Sequence, residues 1–217
     1  MLSNVLSCMS GFFQRFTRSV STPTSGLAEP PAEHPFVELV RFSIIAILIV
    51  VPVRLFIAQP FIVSGASMAD TFQSGDYLIV DQVSYHFSEP QRGDVVIFRY
   101  PKDPSKHFIK RIIGIPGDTI TILGDTVTIS NVNQPEGITI SEPYILSMSG
   151  DTSLTETLGE REYFVMGDNR DHSSDSRAWG VLQRERIVGR AWLRLFPPTS
   201  AAFLPGSFAL VIDESTE

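Results

Sequence analysis

A mostly β domain of antiparallel strands carried on one N-terminal apolar helix is the fold class that the sequence predicts. Three observations predict it. Short runs rich in β-branched and aromatic residues recur from Tyr77 onward, with turns containing Gly-Asp or Pro-Gly-Asp between several of them. One long apolar stretch precedes them, centred on the run IIAILIVVPV at 44–53. Before that stretch the chain is rich in turn formers and lacks hydrophobic periodicity.

Residues 1–35 read as a flexible tail, because the run STPTSGLAEPP at 21–31 has the composition of a linker. Residues 1–13 carry no long apolar core followed by a small-residue cleavage site, so a cleaved leader is not expected. The apolar stretch is read as a transmembrane helix over 36–58. A crossing needs about twenty residues for about 30 Å of hydrocarbon. The strictly uncharged run is shorter, which leaves a buried core segment as the alternative. Arg41 and Arg54 near the ends could extend their head groups to the lipid surface, Glu38 lies at the edge, and Pro52 should kink the helix. Arg15, Arg18 and Arg41 lie on the N-terminal side, while no Lys or Arg occurs between Arg54 and Arg92. The excess of cations places the tail in the cytoplasm and the rest outside.

Strands are expected at 77–80, 95–98, 108–115, 119–123, 126–130, 163–166 and 186–196. The β-rich domain then occupies 59–200, and 201–217 form a C-terminal tail ending in the acidic run DESTE. No internal repeat is apparent.

Composition excludes several functions. The formal charge of −7 argues against nucleic acid as a partner, since a phosphate-binding surface needs clustered cations. The single cysteine, Cys8, excludes an intrachain disulfide and a multi-cysteine metal site. The histidines His34, His86, His107 and His172 fall in no pattern that marks a Ser-His-Asp triad. Neither a G-x-S-x-G elbow nor H-E-x-x-H is present. No metal and no cofactor are expected.

Three segments carry chemistry-bearing residues. The first is VSGASMADTF at 63–72, directly after the apolar stretch. The second is RGDVVIFRYP at 92–101 leading into FIKRIIGIPGD at 108–118. The third is GDNRDHSSDSRAWG at 167–180. Singly, each has an ordinary explanation: a small-residue loop, an apolar strand containing Lys-Arg, and a charged surface turn. Asp168, Asp171 and Asp175 do not match the spacing of a calcium loop, and Arg170 and Arg177 would repel a cation.

Together and in this order, the three segments resemble the type I signal peptidase family over residues 40–196. The third is the most specific of them. The resemblance implies an antiparallel β catalytic domain of the signal-peptidase type and a membrane-anchored serine endopeptidase. It implies Ser67 as nucleophile and Lys110 as general base. It further implies that Ser173 orients the lysine amine, that Asp175 and Arg177 form a structural ion pair, and that Asp168 and Arg170 support the same loop. The Ser67 N–H would be one oxyanion donor, whereas the side-chain donor found in some members would come from position 65, which is Gly65 here. The implied partners are the lipid bilayer and the signal peptides of exported preproteins, cleaved after small residues in an A-x-A pattern. The implied location is a bacterial plasma membrane, with one span, a cytoplasmic N-terminus and the catalytic domain on the outer face. Val63, Met68, Phe72 and Ile109 are the candidate substrate-pocket residues, and the segment PFIV at 60–63 reads equally as a core strand or a bilayer contact.

The chemistry can be argued without the family. A serine hydroxyl needs a base to take its proton. A lysine is a base only when neutral, and its ordinary pKa is about 10.4. Burial disfavours the ammonium and lowers that value. In a strand, Phe108 and Ile112 share the face of Lys110, so they are the residues expected to dry it.

Three positions depart from the family pattern. Asp70 stands where Pro is usual, Phe72 where Leu is common and His172 where Asn is frequent. A carboxylate at Asp70 near Lys110 would favour the charged amine and oppose catalysis. His172 is an alternative base, ranked below Lys110. Asp70 and Gly65 keep open the alternative of a catalytically weak or inactive membrane-tethered β module that only binds peptides. A self-cleaving Ser–Lys regulator is a further alternative, but one that would need neither the apolar helix nor the 167–180 segment.

Overall fold

The computed structural model describes residues 35–52, 58–69, 71–145, 152–206 and 211–212. The chain divides into two compact units, Met1–Ile44 and Ile45–Glu217, and helix α1 (Pro35–Pro52) runs across their boundary. Pro35 opens α1 where a missing N–H costs nothing, and no other proline interrupts the helix before Pro52. Phe36, Phe42 and Leu48 are each at least 70% exposed.

The transmembrane helix expected at 36–58 is described as helix over 36–52, and residues 53–57 lie outside the described residues. The described helix has 18 residues, about 27 Å at 1.5 Å per residue. Among the described residues no helix is long and apolar enough to cross a membrane. Ala58, placed at the helix end by the sequence, opens a strand instead. Arg54, the 1–34 tail and Asp70 lie outside the described residues.

From Ala58 the chain is built of antiparallel strands: β1 (Ala58–Ile62), β2 (Tyr77–Asp81), the single turn α2 (Ser84–Phe87), β3 (Val95–Tyr100) and β4 (Asp103–Gly114). Then follow β5 (Thr119–Leu123), β6 (Thr126–Asn131), β7 (Gln134–Ser141), β8 (Ser153–Thr157) and β9 (Glu162–Met166). The short helix α3 (Ser176–Trp179), β10 (Leu182–Gln183), β11 (Ile187–Phe196), β12 (Ala202–Phe203) and β13 (Val211–Ile212) complete the series. Among the described residues they form two sheets. One has the order β1-β2-β11-β3-β4-β9-β10, with β12 added to β11, and the other runs β13-β7-β6-β5-β8.

The expected strands all lie within or across observed ones. The strand expected at 108–115 begins earlier, at Asp103, because β3 and β4 form a hairpin pairing Tyr100 with Asp103 and Val95 with Arg111. β1 takes up 60–62 of the segment PFIV, as the core-strand reading of it expects. β7, β8 and β10 were not anticipated, and neither were β12 and β13, which lie within the expected C-terminal tail.

β3 explains where the core sits. Its apolar run is buried on both faces, as a central strand requires. Val95 and Ile97 pack with Val63, Met68, Phe72 and Leu78. Val96 and Phe98 pack with Ile112, Tyr163 and Val165 on the other side. A third cluster, including Ile113, Ile120, Ile129 and Phe164, lies where the second sheet meets β4 and β9.

Among the described residues, β1 and the first part of β4 each have a free edge. β1 pairs only with β2 at the end of its sheet. β4 pairs with β3 along 107–111, but its other edge meets β9 only from Arg111 onward. Residues 106–110 therefore present an edge without a strand partner among the described residues.

Candidate active site

Ser67 sits in the loop between β1 and β2. The base of that loop is closed by main-chain bonds from Val63 N to Asp76 O and from Gly75 N to Val63 O, both 2.9 Å. Met68 and Phe72, 1% and 0% exposed, pin it from beneath. Beyond Ser67, Phe72 N donates to Met68 O at 2.7 Å. Among the described residues the Ser67 N–H meets no acceptor. Gly65 has φ +100° with open space where a Cβ would stand. This left-handed backbone disfavours any other residue there, which accounts for a glycine at the position of the missing side-chain donor.

Lys110 lies in β4 and is 3% exposed. Its amine donates to Ser67 Oγ at 2.6 Å and to Ile109 O at 2.9 Å. The Phe108 ring lies 5.5 Å from Nζ, and Ile112, also on this face, is fully buried. Burial pushes the Lys110 amine down to about 8, against the opposing pull of Asp175 and Asp168. Lys110 and Arg111 point to opposite faces, as strand alternation dictates, yet both are buried.

Arg111 is a residue that the sequence reading missed. Its guanidinium clasps Asp168 through Nε at 2.8 Å and Nη2 at 2.6 Å. Thr71 Oγ1 donates to the same carboxylate at 2.6 Å. Asp168 thereby ties together the nucleophile loop, β4 and the 167–180 segment, each contributing one partner. The signal available in the sequence was a Lys-Arg pair inside an apolar strand, where a second buried cation needs its own carboxylate.

Asp175 is fully buried and makes a two-pronged contact with Arg177, Nε to Oδ1 and Nη2 to Oδ2, both 2.9 Å. Burial works against its charged form, but Arg177 and the Gly167 N–H hold its carboxyl below the usual carboxylate range. Arg170 is paired with Glu142, a partner outside the three segments, and also donates to Gly167 O at 3.0 Å. Ser173 Oγ is buried and acts on the Asp175 carboxyl, helping to hold it low, with no hydrogen bond to Lys110 among the described residues. The expected contact with the Lys110 amine is thus not formed. His172 is exposed, with Nδ1 3.2 Å from Asn169 Oδ1 rather than turned onto Ser67.

Gly167, the first residue of the third segment, also went unassigned. A Cβ there would lie 2.3 Å from Ser173 Oγ and 2.4 Å from Ser67 O. The neighbouring Asn169 N donates to that carbonyl at 3.1 Å. Only a residue without a side chain lets the two segments approach this closely.

Ser67 and Lys110 open onto a cleft of about 470 Å³. Val63 and Ile109 line it, with Phe61, Leu78 and Ile97, which were not among the candidates. Met68 and Phe72 lie in the core beneath instead, which corrects their placement in the pocket. Among the described residues no group of three or more His, Cys, Asp or Glu side chains is placed to hold a metal ion.

A buried amine on a serine hydroxyl beside an apolar cleft is the arrangement of a hydrolase, and comparison with known proteins specifies which. The family profile described as "Signal peptidase, peptidase S26" matches residues 36–196. The signal peptidase I of Bacillus amyloliquefaciens is 35% identical over 81% of this chain and 93% of its own length. That of Leptolyngbya laminosa is 34% identical over 78% and 84%. A crystal structure of signal peptidase I from Enterococcus faecalis aligns with a TM-score of 0.41 at 31% identity, covering 48% of this chain and 97% of that one. The chain belongs to the signal peptidase family of peptidases.

Proposed function

We propose that the chain is a serine endopeptidase that removes signal peptides from exported preproteins through Ser67 and Lys110. The observation that carries this reading is the 2.6 Å contact between Lys110 Nζ and Ser67 Oγ, made by an amine lowered to about 8. Near neutral pH part of the lysine is then uncharged and can accept the hydroxyl proton.

Ser67 Oγ attacks the scissile carbonyl and its proton passes to Lys110 Nζ. The tetrahedral oxyanion accepts a hydrogen bond from the Ser67 N–H, which meets no other acceptor among the described residues. Collapse breaks the C–N bond, Lys110 returns the proton to the leaving amine, and an acyl-serine remains. Water then attacks this ester, giving a proton to Lys110, and Ser67 recovers its hydrogen as the carboxylate leaves.

The free edge of β1 and that of β4 at 106–110 flank the cleft. An extended peptide can add to them through its main chain. Val63, Ile97 and Ile109 make shallow apolar walls suited to small residues. We assign the A-x-A preference to these walls. We also infer that α1 associates the chain with a lipid bilayer, with the catalytic unit on the outer face of a bacterial plasma membrane. The exposed apolar side chains of α1 and the bacterial relatives support this. Ser173, Asp175, Arg177, Asp168 and Arg170 are proposed as the scaffold of the site.

The test is cleavage of a preprotein with an A-x-A site by the purified chain in detergent. Ser67→Ala and Lys110→Ala should each lower kcat by about 10³-fold or more. Retention of full activity by either variant overturns the assignment.

A further inference from the structure

The end of the cleft remote from Ser67 has no part in the chemistry above. There the imidazole of His107, in β4, meets the ring of Phe61, in β1, with centroids 5.3 Å apart and planes inclined by 54°. Both line the cleft. The contact therefore spans the two strands whose free edges flank the peptide path. His107 lies three residues before Lys110, about 10 Å along an extended strand. It shares the face of Ile109, not that of Lys110. His107 is exposed and Phe61 half-buried, so the pair offers a partly open surface of two tilted rings.

We propose that Phe61 and His107 form a specificity subsite that takes an aromatic side chain from the fourth or fifth residue before the scissile bond. The proposal deepens the reading of this cleft as the peptide site and rests on it. A peptide lying along β4 in register, with its scissile residue at Lys110, reaches His107 with the fourth residue upstream. The first three residues fill the walls at Val63, Ile97 and Ile109. The next must cross the bridge that the two rings make between β1 and β4. An aromatic side chain there packs on the pair in offset or edge-to-face contact, whereas a glycine leaves the rings in water. Selection at this position then works separately from selection of small residues next to the scissile bond.

The experiment compares peptides that share one A-x-A site and differ only at the fourth and fifth upstream residues, Phe-Phe against Gly-Gly. Each is assayed with the full chain in detergent. The wild-type chain should favour the aromatic peptide by about tenfold in kcat/KM, the scale of one aromatic contact. His107→Ala should bring that ratio to near one, and His107→Phe, which restores a flat ring, should recover it. Binding of the same two peptides to the Ser67→Ala variant should show the same order of preference. This readout does not depend on catalysis, so it separates loss of the subsite from failure of the Ser–Lys assignment. A wild-type ratio near one in both cleavage and binding overturns the proposal. So does a ratio that survives His107→Ala.

Discussion

Replacing Lys110 by methionine tests the central physical claim through stability instead of activity. The amine titrates at about 8 in the folded chain against 10.5 for the free side chain. Between these values the unfolded chain binds more protons than the native one, so native stability must rise with pH across that window. The full burden of burying the charge is present below pH 8 and vanishes above pH 10.5. The drop from 10.5 to about 8 corresponds to about 3 kcal/mol. Methionine fills a similar volume and does not titrate. Its other effects, including the lost contact with Ser67 Oγ, are the same at each pH. Wild-type stability minus that of Lys110→Met should therefore climb by about 3 kcal/mol between pH 7 and 10.5. Other groups titrate in both proteins and cancel in the difference. Urea unfolding in detergent, followed by the fluorescence of Trp179 and Trp192, measures it at several pH values. A difference that stays flat within about 1 kcal/mol would refute the claim that the folded chain strains this amine toward neutrality.

The same pKa sets the pH–rate profile. With the base lowered to about 8, kcat/KM should rise about tenfold from pH 7 to pH 9 and then level, and a profile still rising steeply at pH 10 would contradict it. Gly167→Ala places a methyl group 2.3 Å from Ser173 Oγ and 2.4 Å from Ser67 O. It should lower kcat by about 10²-fold through displacement of the nucleophile, read by steady-state kinetics. Asp168→Asn removes the anionic partner of a fully buried Arg111. It should cost about 3 kcal/mol of stability, read as a lower urea midpoint.

The strands of the β unit were legible where hydrophobic pattern and turn chemistry agreed. The hairpin of β5 and β6 announces itself by alternating apolar residues on either side of Gly124-Asp125. β7 and β8 were not legible, because QPEGITIS and SLTET carry few apolar side chains. Their residues are mostly half-buried or exposed, and the strands are held by main-chain pairing to β6 and β5. β1 was legible only as one of two readings of PFIV at 60–63, since its apolar residues follow those of α1 in sequence and periodicity cannot mark where helix ends and strand begins. Within the site, Ser67 and Lys110 could be named because their segments have a recognisable order. The residues that bring those segments together could not. Arg111 bonding Asp168 and Arg170 bonding Glu142 are matches between positions distant in sequence, and no local pattern specifies which carboxylate a guanidinium will meet. Met68 and Phe72 were misplaced for the same reason, since one turn of chain decides whether an apolar residue next to a nucleophile faces the cleft or the core.

The surroundings of Lys110 pose an electrostatic question that these pairings answer. Two buried carboxylates, Asp168 and Asp175, act on the amine in the direction of the charged form, and yet its pKa falls. A bare carboxylate close to a buried amine would hold it as ammonium. Each of these carboxylates, however, is clasped by a guanidinium through two contacts, Arg111 on Asp168 and Arg177 on Asp175. A clasped pair acts at a distance as a dipole, whose field falls off faster than that of a charge. Desolvation by Phe108 and its neighbours is then the larger effect. On this account the aspartates can brace the nucleophile loop and the 167–180 segment beside the amine without charging it. The arginines are what make two acidic residues compatible with a neutral base, which is why the third segment carries Asp175 and Arg177 together and why Lys110 is followed by Arg111.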